Sequence, residues 1–195
     1  MLFSIHTLKT TLAVSSMLLL TVGCSTTSNQ MASQSEAQSE VTTATEKPKA
    51  MELYEVHHEG RINVFYDKAL YHEFLQLGET SFRLTRIGAG PNGETMVFGI
   101  TKDDKKKATE VAAVKLYDGD VSVEGDFYAE MRRHGRIYVF SAFADMQPVR
   151  QFGHPNFFYS EIGAGPDGET VVFVLNSKTK KKRPEALIAK YMDMQ

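Results

Sequence analysis

The chain has 195 residues, 42% of them hydrophobic and 24% charged, with a formal net charge of −2 at pH 7. That near-neutral balance excludes a whole-molecule field favouring nucleic acid or an acidic polymer. The single cysteine, Cys24, excludes an internal disulfide framework. Eleven of the twelve Phe and all eight Tyr lie from residue 51 onward and give that part enough apolar bulk for a core.

Residues 1–23 open with a weakly basic head containing Lys9, followed by an uncharged, largely apolar run over residues 11–22. The run is shorter than the ~20 apolar residues of a membrane-spanning helix and has signal-peptide proportions. It ends in Leu20-Thr21-Val22-Gly23-Cys24. This string resembles the lipobox of bacterial lipoproteins, in which a small residue precedes the cysteine; Thr21 stands where leucine is most usual. The resemblance implies cleavage before Cys24, acylation of its thiol and new amino group (palmitate among the acyl chains), and a membrane anchor of ~0.8 kcal/mol per buried methylene. Ser25, rather than Asp, after the cysteine implies sorting to the outer membrane, on its periplasmic face. An ordinary secretory signal containing a cysteine is the alternative. Residues 25–50 are Ser-, Thr-, Gln-, Ala- and Glu-rich with no aromatic residue. Such a composition cannot offset an ordering cost of about 1–2 kcal/mol per residue, so residues 24–50 read as a lipidated cysteine and a disordered tether. A random coil of this length has its ends roughly 25–30 Å apart.

From residue 51 the chain is written twice. Ile87-Gly-Ala-Gly-Pro-Asn-Gly-Glu-Thr95 returns as Ile162-Gly-Ala-Gly-Pro-Asp-Gly-Glu-Thr170, and the 75-residue offset holds without a gap from Glu55/Glu130 to Asp118/Asp193. In the first copy, residues 52–58 and 61–66 read as strands of a hairpin with Gly60 in its turn. Asp67 is placed to cap a helix with Leu70, Phe74 and Leu77 on one face and Gly78 at its end. Strands over residues 82–87 and 95–101 follow, then a lysine-rich connection and a trailing helix around residues 110–116. The second copy gives strands over residues 126–133 and 136–141, and a shorter helix capped by Asp145 with Val149 and Phe152 inward. Strands over residues 157–162 and 170–176 follow, and a trailing helix near residues 185–192 with Pro184 in its first turn. The expected fold is α+β: tandem ββαββ(α) units at residues 51–119 and 126–195, antiparallel sheets, and pseudo-two-fold symmetry. Two packed sheets and one continuous eight-stranded sheet remain open.

Gly88-Ala-Gly90-Pro-Asn-Gly93 matches G-x-G-x-x-G, the dinucleotide fingerprint. Pro91 removes an amide donor, and a strand rather than a helix follows, so the string is expected to be a tight hairpin turn with Gly93 in the left-handed conformation. Glu94 and Glu169, present in both copies, are expected to pair with Arg61 and Arg136 or to cap loop amides. His57, His58, His72, His134 and His154 have no counterparts between copies and read as solvated side chains rather than metal ligands. No G-x-S-x-G or free thiol supports nucleophilic catalysis, and no cofactor is expected.

Lys105, Lys106 and Lys107 in one copy, and Lys180, Lys181, Lys182 and Arg183 in the other, read as solvated loops protecting sheet edges, or as basic patches touching anionic head groups. Specific recognition is expected where the copies differ, at Arg86/Glu161 and Arg83/Phe158, with Arg86 facing Glu161 across the internal two-fold. The functional expectation is a non-enzymatic envelope lipoprotein with a binding or assembly-support module and an envelope protein or polymer as partner. Binding of a small ligand or polymer in a groove between the repeats is the alternative, and an enzyme of unrecognised type the third reading.

Overall fold

The computed structural model describes residues 51–123 and 126–195; the leader, Cys24 and the tether lie outside the described residues. The alternating runs form eight strands: β1 (Met51–His58), β2 (Arg61–Phe65), β3 (Arg83–Arg86), β4 (Thr95–Gly99), β5 (Phe127–Arg133), β6 (Arg136–Phe140), β7 (Phe157–Glu161) and β8 (Thr170–Leu175). Four helices are described: α1 (Lys68–Leu77), α2 (Ala112–Asp118), α3 (Met146–Phe152) and α4 (Glu185–Asp193). A 3-10 segment, Asp103–Glu110, precedes α2.

All eight strands join one sheet in the order β3-β4-β2-β1-β5-β6-β8-β7. The expected antiparallel sheets are therefore corrected to a single mixed sheet. β1 pairs parallel with β5, β2 with β4 and β6 with β8, while the four remaining pairs are antiparallel. The reason lies in α1, α2 and α3: each carries the chain on after a hairpin, so the next hairpin reads in the same direction as the last. Since β1 and β5 are parallel, all four hairpin turns fall on one rim of the sheet. Met51 and the lysine-rich connections after β4 and β8 begin on the opposite, basal rim.

Alternation gives the sheet two apolar faces. Leu53, Ile62, Phe98, Ala129, Met131 and Phe140 pack on one face against Val114 and Leu116 of α2 and Met146 and Val149 of α3. Tyr54, Phe65, Tyr128, Ile137 and Phe173 pack on the other against Tyr71 and Phe74 of α1 and Leu187, Ile188 and Tyr191 of α4. Each half of the chain thus sends one helix to each face.

The local signals mostly act as the residues dictate. Asp67 Oδ1 accepts from the amides of Ala69 (2.8 Å) and Leu70 (3.1 Å), and Gly78 ends α1 at φ 76°. Gly93 donates to the Gly90 carbonyl at 3.0 Å, as Gly168 does to Gly165, with φ of 84° and 82°; the glycine string is a hairpin turn leading into a strand. In the β1–β2 and β5–β6 turns, Glu59 and His134 share the positive φ with their glycines. Asp145 does not cap α3; a 3-10 turn at Phe143–Asp145 leads in, and its carboxylate accepts from Asn176 Nδ2 at 3.0 Å. Phe152 and Leu77, expected inward, are 65% and 68% exposed. In α3 the inward position belongs to Arg150, which has a buried partner.

Candidate functional site

Two acids interrupt the apolar alternation of the central strands. Glu55 on β1 is fully buried on the α2–α3 face, and Glu130 on β5 is 2% exposed on the other. An ionised carboxylate in such a place needs charge or donors around it. Arg150 Nε donates to Glu55 Oε1 at 2.7 Å, Arg150 Nη2 and the Tyr117 hydroxyl donate to the same oxygen, and His57 Nε2 lies 3.3 Å from Oε2. The guanidinium also lies over the rings of Tyr117 (4.4 Å) and Phe143 (4.8 Å). Burial alone would push the Glu55 carboxyl up; the Arg150 charge and the hydrogen bonds from His57 and Arg150 outweigh it and hold the carboxyl below its usual value. His57, expected to be solvated, instead has a side chain only 11% exposed because it turns toward this carboxylate.

Glu130 takes hydroxyls rather than a guanidinium. Tyr128 donates at 2.5 Å, Tyr71 at 3.1 Å and Gln195 Nε2 at 3.3 Å, while Arg132 Nε donates to the Tyr71 hydroxyl at 2.8 Å. Burial first, and the Glu130 charge after it, pushes the Tyr71 and Tyr128 phenols well above their ordinary value and Tyr191 up to about 12. Both acids are enclosed in the core layers with their oxygens engaged. Such groups hold elements together rather than meet a substrate.

An accessible polar concavity lies elsewhere. α1 rests on β1 and β2, leaving the same face of β4 and β3 as an open shelf of about 450 Å³. Its floor carries Asn63, Thr95 and Val97, and its borders carry Arg61, Arg83 and Thr85. Asn63 Nδ2 donates to the Val56 carbonyl at 3.2 Å, which fixes the amide and leaves its oxygen unengaged among the described residues. Gly99 belongs to this face as well: a Cβ there would stand 2.6 Å from the Phe65 ring, so only glycine lets Phe65 pack beneath α1. Arg83 lies 3.6 Å from Glu79 in an exposed pair, and Arg61 forms no ion pair among the described residues.

The residues singled out from the sequence are dispersed. Arg86 and Glu161 do not face each other: β3 and β7 are the two outermost strands. Arg86 pairs with Asp118 (2.9 Å for Nη2–Oδ2) and stands over Phe98, while Glu161 accepts from Arg183 at 2.7 Å. Phe158, 56% exposed, also lies on β7, away from the β1–β5 seam, which is a continuous hydrogen-bonded ladder with a small concavity of about 110 Å³ at its turn end beside His57, Arg132 and Glu169. Lys105 stands over Phe82 at 5.3 Å and Lys180 over Phe157 at 4.1 Å, each at the basal end of an edge strand. Lys106, Lys107, Lys181 and Lys182 are exposed and unpaired among the described residues. Glu169 pairs with Arg132 rather than Arg136 and accepts from the Asp167 amide at 2.9 Å; Glu94 accepts from the Asn92 amide at 2.8 Å. Among the described residues no three His, Cys, Asp or Glu side chains come together as a metal site.

Compared with family models, curated proteins and solved structures, the chain finds no match.

Proposed function

We propose that the protein is a non-enzymatic lipoprotein of the bacterial outer membrane, anchored through acylated Cys24 on the periplasmic face, whose folded part is a tandem duplication serving as a binding or assembly-support module. The observation that carries this reading is where the chain joins the sheet. Met51 begins a central strand on the basal rim, the rim at which Lys105 and Lys180 stand over the edge phenylalanines. A tether from Cys24 therefore meets the module on its basic side, and each lysine near an anionic bilayer adds about 1 kcal/mol to the hold of the acyl chains. The hairpin rim and the open shelf are left free for a partner.

The duplication is supported by the strand order, which reads edge, hairpin partner, inner strand, centre from either side, and by the exchange of faces between the helices of the two halves. An in-plane two-fold parallel to β1 and β5 relates two such halves.

Cys24→Ala tests the anchor. The substitution is expected to abolish palmitate labelling and to release the protein from the membrane fraction. Unchanged labelling and fractionation would refute the lipid anchor. Hydrolase or transferase activity of the purified protein that a point change abolishes would refute the non-enzymatic reading.

A further inference from the structure

The shelf beside α1 has a counterpart in sequence 75 residues further on, and there the lining is different. Asn63 corresponds in position to Tyr138, Arg83 to Phe158 and Gly99 to Val174. Tyr138 is buried and its hydroxyl donates to the Gly153 carbonyl at 3.4 Å, while Val172 and Val174 are at most 4% exposed. One half fills this space with an aromatic ring and valines. The other leaves about 450 Å³ open and lines it with Arg61, Asn63, Arg83, Thr85 and Thr95.

We propose that this shelf is a binding site for an acidic oligosaccharide, a polyhydroxylated chain carrying carboxylates. Three features select that class. The two guanidinium groups stand at opposite corners: Arg61 opens β2 beside Thr95, and Arg83 opens β3 beside Gly99. Four residues along the strands and two strand spacings across put their Cα atoms roughly 16 Å apart. That span suits charges repeated along an extended chain and exceeds the reach of a single small anion. Guanidinium forks match carboxylates bidentately. Between the corners, the hydroxyls of Thr85, exposed, and Thr95, half-buried, can exchange hydrogen bonds with sugar hydroxyls, above the Asn63 amide, which is only 6% exposed at the floor. Glu79 competes for Arg83, but an exposed pair at 3.6 Å is a weak competitor.

Binding is measured by calorimetry on the full chain in mild detergent, with tetragalacturonate as the acidic probe, maltotetraose as its neutral analogue and tripolyphosphate as a sugar-free polyanion. Saturable binding of tetragalacturonate is expected, at least tenfold tighter than either comparator. Arg83→Phe and Asn63→Tyr, which import the residues of the other half, and Arg61→Ser should each weaken it about tenfold or more. Arg136→Ser, 75 residues from Arg61, should leave it unchanged, and circular dichroism checks that each variant is folded. Absence of tetragalacturonate binding, equal binding of maltotetraose or tripolyphosphate, or equal sensitivity to Arg136→Ser and Arg61→Ser would each overturn the proposal. None of these outcomes bears on the Cys24 anchor.

Discussion

At the scale of single residues, Glu55 and Arg150 are the pair on which the α2–α3 face depends. Truncating one partner leaves a buried charge uncompensated, so Arg150→Met should destabilise the fold by about 3–5 kcal/mol, whereas Glu55→Gln with Arg150→Met should recover most of that loss. Denaturant melts of the single and double variants check it. The folded carboxyl of Glu55 is held below its unfolded value. Its contribution is therefore present above the ordinary glutamate value of ~4.3 and lost as the pH falls through the folded value. Melting temperature followed downward from pH 7 should hold and then drop once the pH falls below the ordinary glutamate value of ~4.3, and Glu55→Gln should flatten the drop. Tyr191 shows the opposite case, a buried hydroxyl with no partner among the described residues. Removing it costs no hydrogen bond and relieves a desolvated polar group, so Tyr191→Phe should be neutral or stabilising by up to about 1 kcal/mol. A loss above 1 kcal/mol would mean that the hydroxyl does have a partner.

At the scale of elements, strands and turns were legible and helix faces less so. Asp67, Gly78 and the Gly-Pro-Asn/Asp-Gly turns carry their conformations in their own chemistry, so the residues alone predict them. Phe152 and Leu77 fit a helical period and are exposed nonetheless; in α3 the inward places go to Met146, Val149 and Arg150, the last a charged side chain whose partner lies 95 residues away in sequence. A period cannot reveal that. A signal did exist: a glutamate at the same place in two apolar strands, Glu55 and Glu130, marks a position that apolar alternation would not choose. The shelf was legible only as the Arg83/Phe158 difference between copies; that β3 is an edge strand on an uncovered face follows from the parallel pairing, which no local pattern encodes. Gly99 offers a test of packing beneath α1. Gly99→Val, the residue found at position 174, drives a branched side chain into the Phe65 ring and should cost about 1–3 kcal/mol by thermal or denaturant melting.

At the scale of the whole molecule, the two halves hold each other through buried groups. Glu55 of the first half meets Arg150 of the second, Tyr71 of the first donates to Glu130 of the second, and Asn92 Nδ2 reaches the Arg150 carbonyl at 3.4 Å. A half alone would expose the unpaired edge of β1 or β5 and bare a lone buried acid. Fragments 51–119 and 126–195, made separately, should therefore lack a cooperative melt, and mixing them should restore one; a cooperative melt of either fragment by itself would show that the halves are autonomous domains.

The placement of β1 also decides how the molecule meets force. Tension applied to the chain at Met51 would act along the axis of a strand hydrogen-bonded on both sides, to β2 and to β5. Those bonds lie across the direction of pull and are strained together rather than one after another. A chain joined instead to an edge hairpin would peel open bond by bond. A pull at Met51 against the opposite rim would therefore load the central ladder in shear and leave the outer strands undisturbed.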